Sequence, residues 1–197
     1  MKRSLLTLMV LGLCLAAFGC VESQLPTMDA GSGVAAQTDT GSAEAVTYRN
    51  DARNFSYTIP KGWVLNSGDP KGDNASFSKA DMSLHFSFHY TAMTDDFPAE
   101  TSVRESMKQD KQYMEKTQKY ILVERKDDSA KDDGAGAIGW LHTESATGGG
   151  GDHQRIQWQC YDMENWYFNF TANSHPDVFQ ANEAELMGII QSIKFSK

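Results

Sequence analysis

The residues with most chemical reach in this 197-residue chain are its histidines and one late cysteine. His85 and His89 sit in an extended run with one same-face position between them, so their imidazoles point the same way. Four strand residues span about 13 Å, too far for one ion to hold both, so each would need ligands from neighbouring strands. His142 and His153 flank a glycine run. A hairpin there would bring them near each other, with Glu144 or Asp152 adding oxygen. A transition-metal site on His85, His89, His142 or His153 competes with a plainer expectation, four solvated strand-face histidines. Neither the helical His-x-x-x-His nor a Cys-x-x-Cys pair is present, so no metal or other cofactor is expected.

Cys160 would need a base beside it to act as a nucleophile. It alternates in phase with Ile156 and Trp158, which makes it a small core hydrophobe. There is no Gly-x-Ser-x-Gly elbow. Gly148-Gly149-Gly150-Gly151 is followed by a strand pattern and not by Lys-Ser or Lys-Thr and a helix, so it is a hairpin tip and not a phosphate cradle. Asp127, Asp128, Asp132 and Asp133 depart from calcium-loop spacing and are expected to be a solvated acidic loop. The Asn-x-Ser/Thr triplets at Asn54, Asn74 and Asn169 are chance matches. With no acid and base clustered, no catalytic residue is expected and the chain is not expected to be an enzyme. What remains is a polar strand face: Arg155, Gln157, Gln159 and Tyr161 alternate with core residues, as do Asn165, Tyr167 and Asn169 on the next strand. With His85 and His89 this face is a candidate recognition surface for a protein or polysaccharide partner, because amides and phenols bind without strong charge. The alternative is that a helix or water covers it.

The elements that would position these groups form an α+β pattern. Phe55, Tyr57 and Ile59 alternate with Ser56 and Thr58; Pro60-Lys61-Gly62 turns the chain, and Trp63-Val64-Leu65 resumes extension. Further strands fall at residues 75–79 and 83–90. Ser102 and Glu105 form a capping box for a helix to about residue 119, with a thin stripe of Val103, Met107 and Met114. Residues 120–124 are extended, 127–134 form the acidic loop, and 135–145, 153–163 and 166–172 make a three-strand meander. A final helix starts at Ser174-His175-Pro176-Asp177, with Ser174 as cap and Phe179, Leu186, Ile190 and Ile193 as its buried stripe. No internal repeat is present.

The amino terminus speaks of location. Lys2 and Arg3 precede a run of apolar and small residues over 5–17, too short to span a bilayer, which needs roughly 20. Ala17-Phe18-Gly19-Cys20 resembles the lipobox of bacterial lipoproteins. That resemblance implies a signal peptide over 1–19, a diacylglyceryl thioether on Cys20 and an acylated amino terminus after cleavage. Residues 20–45 then form a lipidated tether rich in Gly, Ser, Thr, Ala and Gln, with a reach on the order of 25–30 Å, and 46–197 form one globular domain. Loss of Lys2 and Arg3 takes the formal charge from −8 to −10. So acidic a surface repels phosphate backbones and anionic headgroups, which excludes nucleic acid as partner and leaves the lipid as the membrane anchor. Cys14 leaves with the signal, Cys20 carries lipid, and Cys160 has no intramolecular disulfide partner. About 150 residues suffice for one ordinary core. Val21 stands where some bacteria place a retention aspartate; under that sorting rule the destination is the outer membrane, and otherwise the periplasmic side of another envelope membrane.

The opening Asn54-Phe55-Ser56-Tyr57-Thr58-Ile59-Pro60-Lys61-Gly62-Trp63, the element order and the closing Ile189-Ile190-Gln191-Ser192-Ile193-Lys194-Phe195 resemble the PsbP-like group. This group includes extrinsic photosystem II subunits and exported bacterial lipoproteins of the DcrB kind. The resemblance covers the whole domain. It implies an α/β/α sandwich with an antiparallel central sheet, and mostly binding or assembly roles. The sequence therefore points to an envelope lipoprotein with a non-catalytic binding or assembly-support role. A metal-binding protein and an uncharacterised envelope enzyme are the alternatives.

Overall fold

The structure is a computed structural model that describes residues 44–116, 120–132, 135–148 and 151–196. Cys20, the leader and nearly all of the tether lie outside the described residues. Among the described residues, ten strands and two helices follow in chain order: β1 Val46–Asn50, β2 Phe55–Ile59, β3 Trp63–Gly68, β4 Asn74–Lys79, β5 Leu84–Ala92, α1 Ala99–Lys116, β6 Tyr120–Asp132, β7 Ile138–Gly148, β8 His153–Tyr161, β9 Trp166–Ser174, α2 Pro176–Ser192 and β10 Lys194–Phe195. β3-β4-β5-β9-β8-β7-β6 form a seven-stranded sheet and β1-β2-β10 a small one. Every pairing is antiparallel.

Alternation decides which face is core. Phe77, Phe86, Phe88, Phe170, Phe168, Trp158 and Ile156 are buried against Phe55 and Tyr57 of the small sheet and Phe179, Leu186, Ile189 and Ile190 of α2. Phe55 is the centre of this packing, with ring centroids 5.5 to 6.1 Å from those of Phe88, Tyr90, Phe168, Phe170 and Phe195. Polar ties close its rim. Tyr57 donates its hydroxyl to the Pro70 carbonyl at 2.8 Å, and burial pushes that phenol's pKa up. Buried Asn50 donates to the Lys71 and Gly72 carbonyls and so ties β1 to the β3–β4 turn. Trp63 fills the core as its motif implies, while its Nε1 donates at 2.7 Å to Glu185, which also pairs with Lys79.

Four sequence expectations change. The stretch expected as an acidic loop is strand as far as Asp132, since Ser129–Asp132 pair with Leu141–Ile138 after two register shifts absorb the extra residues; Asp133 lies outside the described residues. α1 starts at Ala99 and not at the Ser102 box, because the Asn165 side chain accepts the Ala99 N–H at 2.6 Å and supplies the cap from another loop. α2 is capped by His175, whose Nδ1 accepts the Asp177 N–H; the Ser174 hydroxyl is turned to the His175 carbonyl. The last helix stops at Ser192, since Ile193 is extended and Phe195 turns back to pair with Phe55 and pack on Phe168 at 4.9 Å.

Gly139 lies where β7 crosses closest to β8, and a Cβ there would overlap the Gln159 and Cys160 backbone. A strand glycine is ordinarily worse than alanine, so the sign reverses here. Gly139→Ala is expected to cost about 1–3 kcal/mol through overpacking, read as a lower urea midpoint with an unchanged slope.

Candidate functional site

The second face of the large sheet collects the polar positions into rows. Ser78, His85, Asn173, Arg155 and Glu144 stand in one row across β4, β5, β9, β8 and β7; Ser76, Ser87, Thr171, Gln157 and His142 stand in the next; Asn74, His89, Asn169, Gln159 and Trp140 in the third. Tyr167 and Tyr161 pair just beyond. Arg155, Gln157, Gln159, Tyr161, Tyr167, Asn169, His85 and His89 of the sequence-derived recognition face therefore do share one surface, whereas Asn165 lies in the turn before β9 and caps α1. They are not equally presented.

α1 packs over the β6–β9 half of this face, setting Ala99 and Val103 on Tyr167, with Trp140 and Tyr161 alongside. Arg104 lies over the Trp140 ring at 5.6 Å. The Tyr161 hydroxyl meets Glu100 in the helix's first turn; burial and that carboxylate raise its pKa against the opposing pull of Arg104. Gln157, Gln159 and Tyr167 are buried. They are spent on one another and on neighbours: Gln157 donates to Asn169 at 2.8 Å and Gln159 to the Tyr167 hydroxyl at 3.1 Å. Arg155 is held against the buried Glu144 carboxylate. Gln157, Gln159 and Tyr167 thus lie in the helix–sheet interlayer and not on an open binding surface, while Arg155 and Tyr161 are half-buried. For the buried three a helix covers the face, the alternative that strand alternation could not exclude.

The histidines part company. His142 is fully buried, its Nε2 3.7 Å from Glu144, and pairs across the hairpin with Gln157. His153 pairs with Ala146, four positions from His142 along the strand, so the hairpin separates them by about 13 Å. Asp152 instead accepts the Gly148 N–H. Among the described residues, no three His, Cys, Asp or Glu side chains converge as metal ligands. Cys160 is completely buried in the core.

The uncovered half of the face is β5 with the near side of β9: His85, Ser87, His89, Asn169, Thr171 and Asn173. His89 is exposed, 6.0 Å from the Tyr167 ring, and partial burial holds its pKa below the ordinary imidazole value. At one end the trough drops into a depression of about 510 Å³, lined by His85, Asp152, His153, Asn173, His175 and Asp177 among others. Burial first, and then Arg155, lower the His153 pKa. His175 was visible in the sequence only as part of a helix start; it joins His85 and His153 because β5, β8 and α2 end at one place. A second depression of about 260 Å³ at the other end of the strands contains Arg53, stacked 4.2 Å over Trp166 and paired with Glu164, and Asp162, whose pKa burial raises.

The large antiparallel sheet, with α1 on one face and α2 plus the small sheet on the other, defines a single α+β domain of PsbP-like fold. It is similar to the cyanobacterial PsbP protein CyanoP of Synechocystis, with a TM-score of 0.55 and 12% identity over 84% of this chain and 98% of that one. Lesser similarity extends to LpqN of Mycobacterium tuberculosis, described as involved in cell envelope biogenesis, with a TM-score of 0.49 and 12% identity over 78% of this chain and 91% of that one. The Ran-binding protein Mog1p of Saccharomyces cerevisiae gives 0.45 and 7% over 78% and 96%. No family model matches the sequence, and no curated protein matches it significantly.

Two outcomes test this site. Arg155→Met leaves the buried Glu144 carboxylate without its guanidinium and is expected to cost about 3–5 kcal/mol of stability, measured by urea unfolding; a solvated recognition arginine would cost almost nothing. The lowered pKa values of His89 and His153 mean that, between the ordinary imidazole value and the lowered one, the unfolded chain binds more protons than the folded one. Their effect on stability is nil above that range and turns destabilising as pH falls through it. Urea midpoints should therefore drop between pH 7.5 and 5.5, and less steeply in the His89→Gln/His153→Gln double variant.

Proposed function

We propose that this chain is a bacterial envelope lipoprotein, anchored through acylated Cys20, whose domain has a non-catalytic binding or assembly-support role for an envelope protein or polysaccharide. The observation that carries the binding role is the uncovered pair of hydrogen-bonding rows, His85 with Asn173 and His89 with Asn169, on a sheet whose other face is sealed core. The covered half of the same face shows what these residue types do when a partner surface is present. Nucleophilic chemistry has no support among the described residues, since Cys160 lies in the aromatic core away from solvent. The anchor rests on Lys2, Arg3, the apolar run and Ala17-Phe18-Gly19-Cys20. No helix among the described residues is long and apolar enough to cross a membrane, and two or more acyl chains suffice for stable attachment.

Mass spectrometry of the amino-terminal peptide should find Cys20 bearing fatty chains, and Cys20→Ser should move the protein from the membrane to the soluble fraction. An unprocessed Met1 in the membrane fraction would refute the anchor. Detergent-extracted wild type should retain a stoichiometric companion that the variant of exposed His89, His89→Glu, loses at unchanged stability.

A further inference from the structure

We infer that the depression between β5, the start of β8 and the start of α2 is a binding site for an uncharged saccharide. The inference deepens the binding role proposed above by assigning it a ligand class. Its lining is a mixed array. Asn173 brings an amide with both donors and an acceptor, and no hydrogen bond engages it or His85 among the described residues. His175 accepts the Asp177 N–H at Nδ1, which leaves Nε2 as the protonated, donating nitrogen. Asp152 and Asp177 contribute carboxylate oxygens, and Met82 and Val178 apolar surface.

The array discriminates among ligand chemistries. An anion would use only the N–H donors while facing two carboxylates, and the nearby guanidinium of Arg155 is already held by Glu144. A cation would use only the acceptors and leave the Asn173 and His175 donors facing its charge. Sugar hydroxyls both donate and accept, so neighbouring hydroxyls on one ring satisfy carboxylate, amide and imidazole together. The ring's C–H face can lie on Val178 and Met82. A volume of about 510 Å³ suits one or two sugar units and falls within the usual range of small-ligand pockets.

The test uses the full chain in detergent with carbon-13 methyl-labelled methionine, because Met82 lines the depression and Met163, 87% exposed in the turn between β8 and β9, lies at the far end of the strands. Maltose and N,N′-diacetylchitobiose are titrated separately, with lysine and inorganic phosphate as charged probes. The expected result is a saturable Met82 shift with at least one sugar, at a Kd of about 1–10 mM. Met163 should stay still, and Asn173→Ala and His85→Ala should each weaken binding about fivefold or more, as expected for a lost hydrogen bond. The inference is overturned if neither sugar moves Met82, if Met163 moves equally, if both variants bind as wild type does, or if lysine or phosphate binds more tightly than both sugars. The Cys20→Ser protein should give the same Met82 response, so a failed anchor and a failed sugar site are told apart.

Discussion

The register of β5, β9 and β8 is the constraint on which everything else in this domain depends. Phe86 and Phe88 stand opposite Ala172 and Phe170, and Trp158 opposite Phe170, so one face of three adjacent strands is aromatic. A slip of one residue would put His85, Ser87, His89, Gln157 and Asn169 into the core and the phenylalanines into solvent. Phe55 forbids that slip, since it contacts rings from β5 and β9 at once and belongs to the other sheet. The polar face is thus a by-product of the core: its residues are aligned in rows because their neighbours are locked.

That dependence explains what was legible in the sequence. Alternation over residues 83–90 and around Cys160 gave both faces correctly, because a period of two needs no partner to be read. The strand at Phe55–Ile59, its turn and the closing helix were visible for the same reason: local pattern, proline and glycine sufficed. The misses are all tertiary. Asn165 caps α1 across more than sixty residues, a donor–acceptor match that no local spacing encodes. Phe195 leaves the helix because a cluster of distant rings outweighs one more helical turn. β6 continues through Asp127 and Asp128 because β7 offers it a long edge, and its bulges take up the mismatch.

The candidate site shows the same division. Strand phase placed Gln157, Gln159 and Tyr167 on the polar face, but phase cannot say what lies above a face. α1 settles it by laying Ala99 and Val103 on Tyr167, and beside that contact polar groups of the sheet pair with one another. Such an arrangement is costly to leave half made, since a buried amide without its partner loses about 1–3 kcal/mol. Gln157 with Asn169 and Gln159 with the Tyr167 hydroxyl meet that requirement for the amide donors within the sheet itself. The helix therefore covers a face whose amide donors are already paired, while the Gln157 and Gln159 amide oxygens stay buried without a protein hydrogen bond among the described residues.

The uncovered half differs in that its unpaired groups are open to solvent. Thr171 and Gln157 both donate to Asn169, which uses that residue's acceptor and leaves its amide donors outward. His85 and Asn173 face each other across β5 and β9 without a hydrogen bond among the described residues. In water these groups are satisfied by solvent at no cost, and any partner must replace that solvent bond for bond. A rigid sheet fixes the spacing of the groups before the partner arrives, so little ordering is lost on contact. The depression extends this logic to a place where strand ends and a helix start meet, and where donors and acceptors line one concavity. Selectivity there comes from matching both kinds at once, because each unmatched donor or carboxylate counts against the wrong ligand.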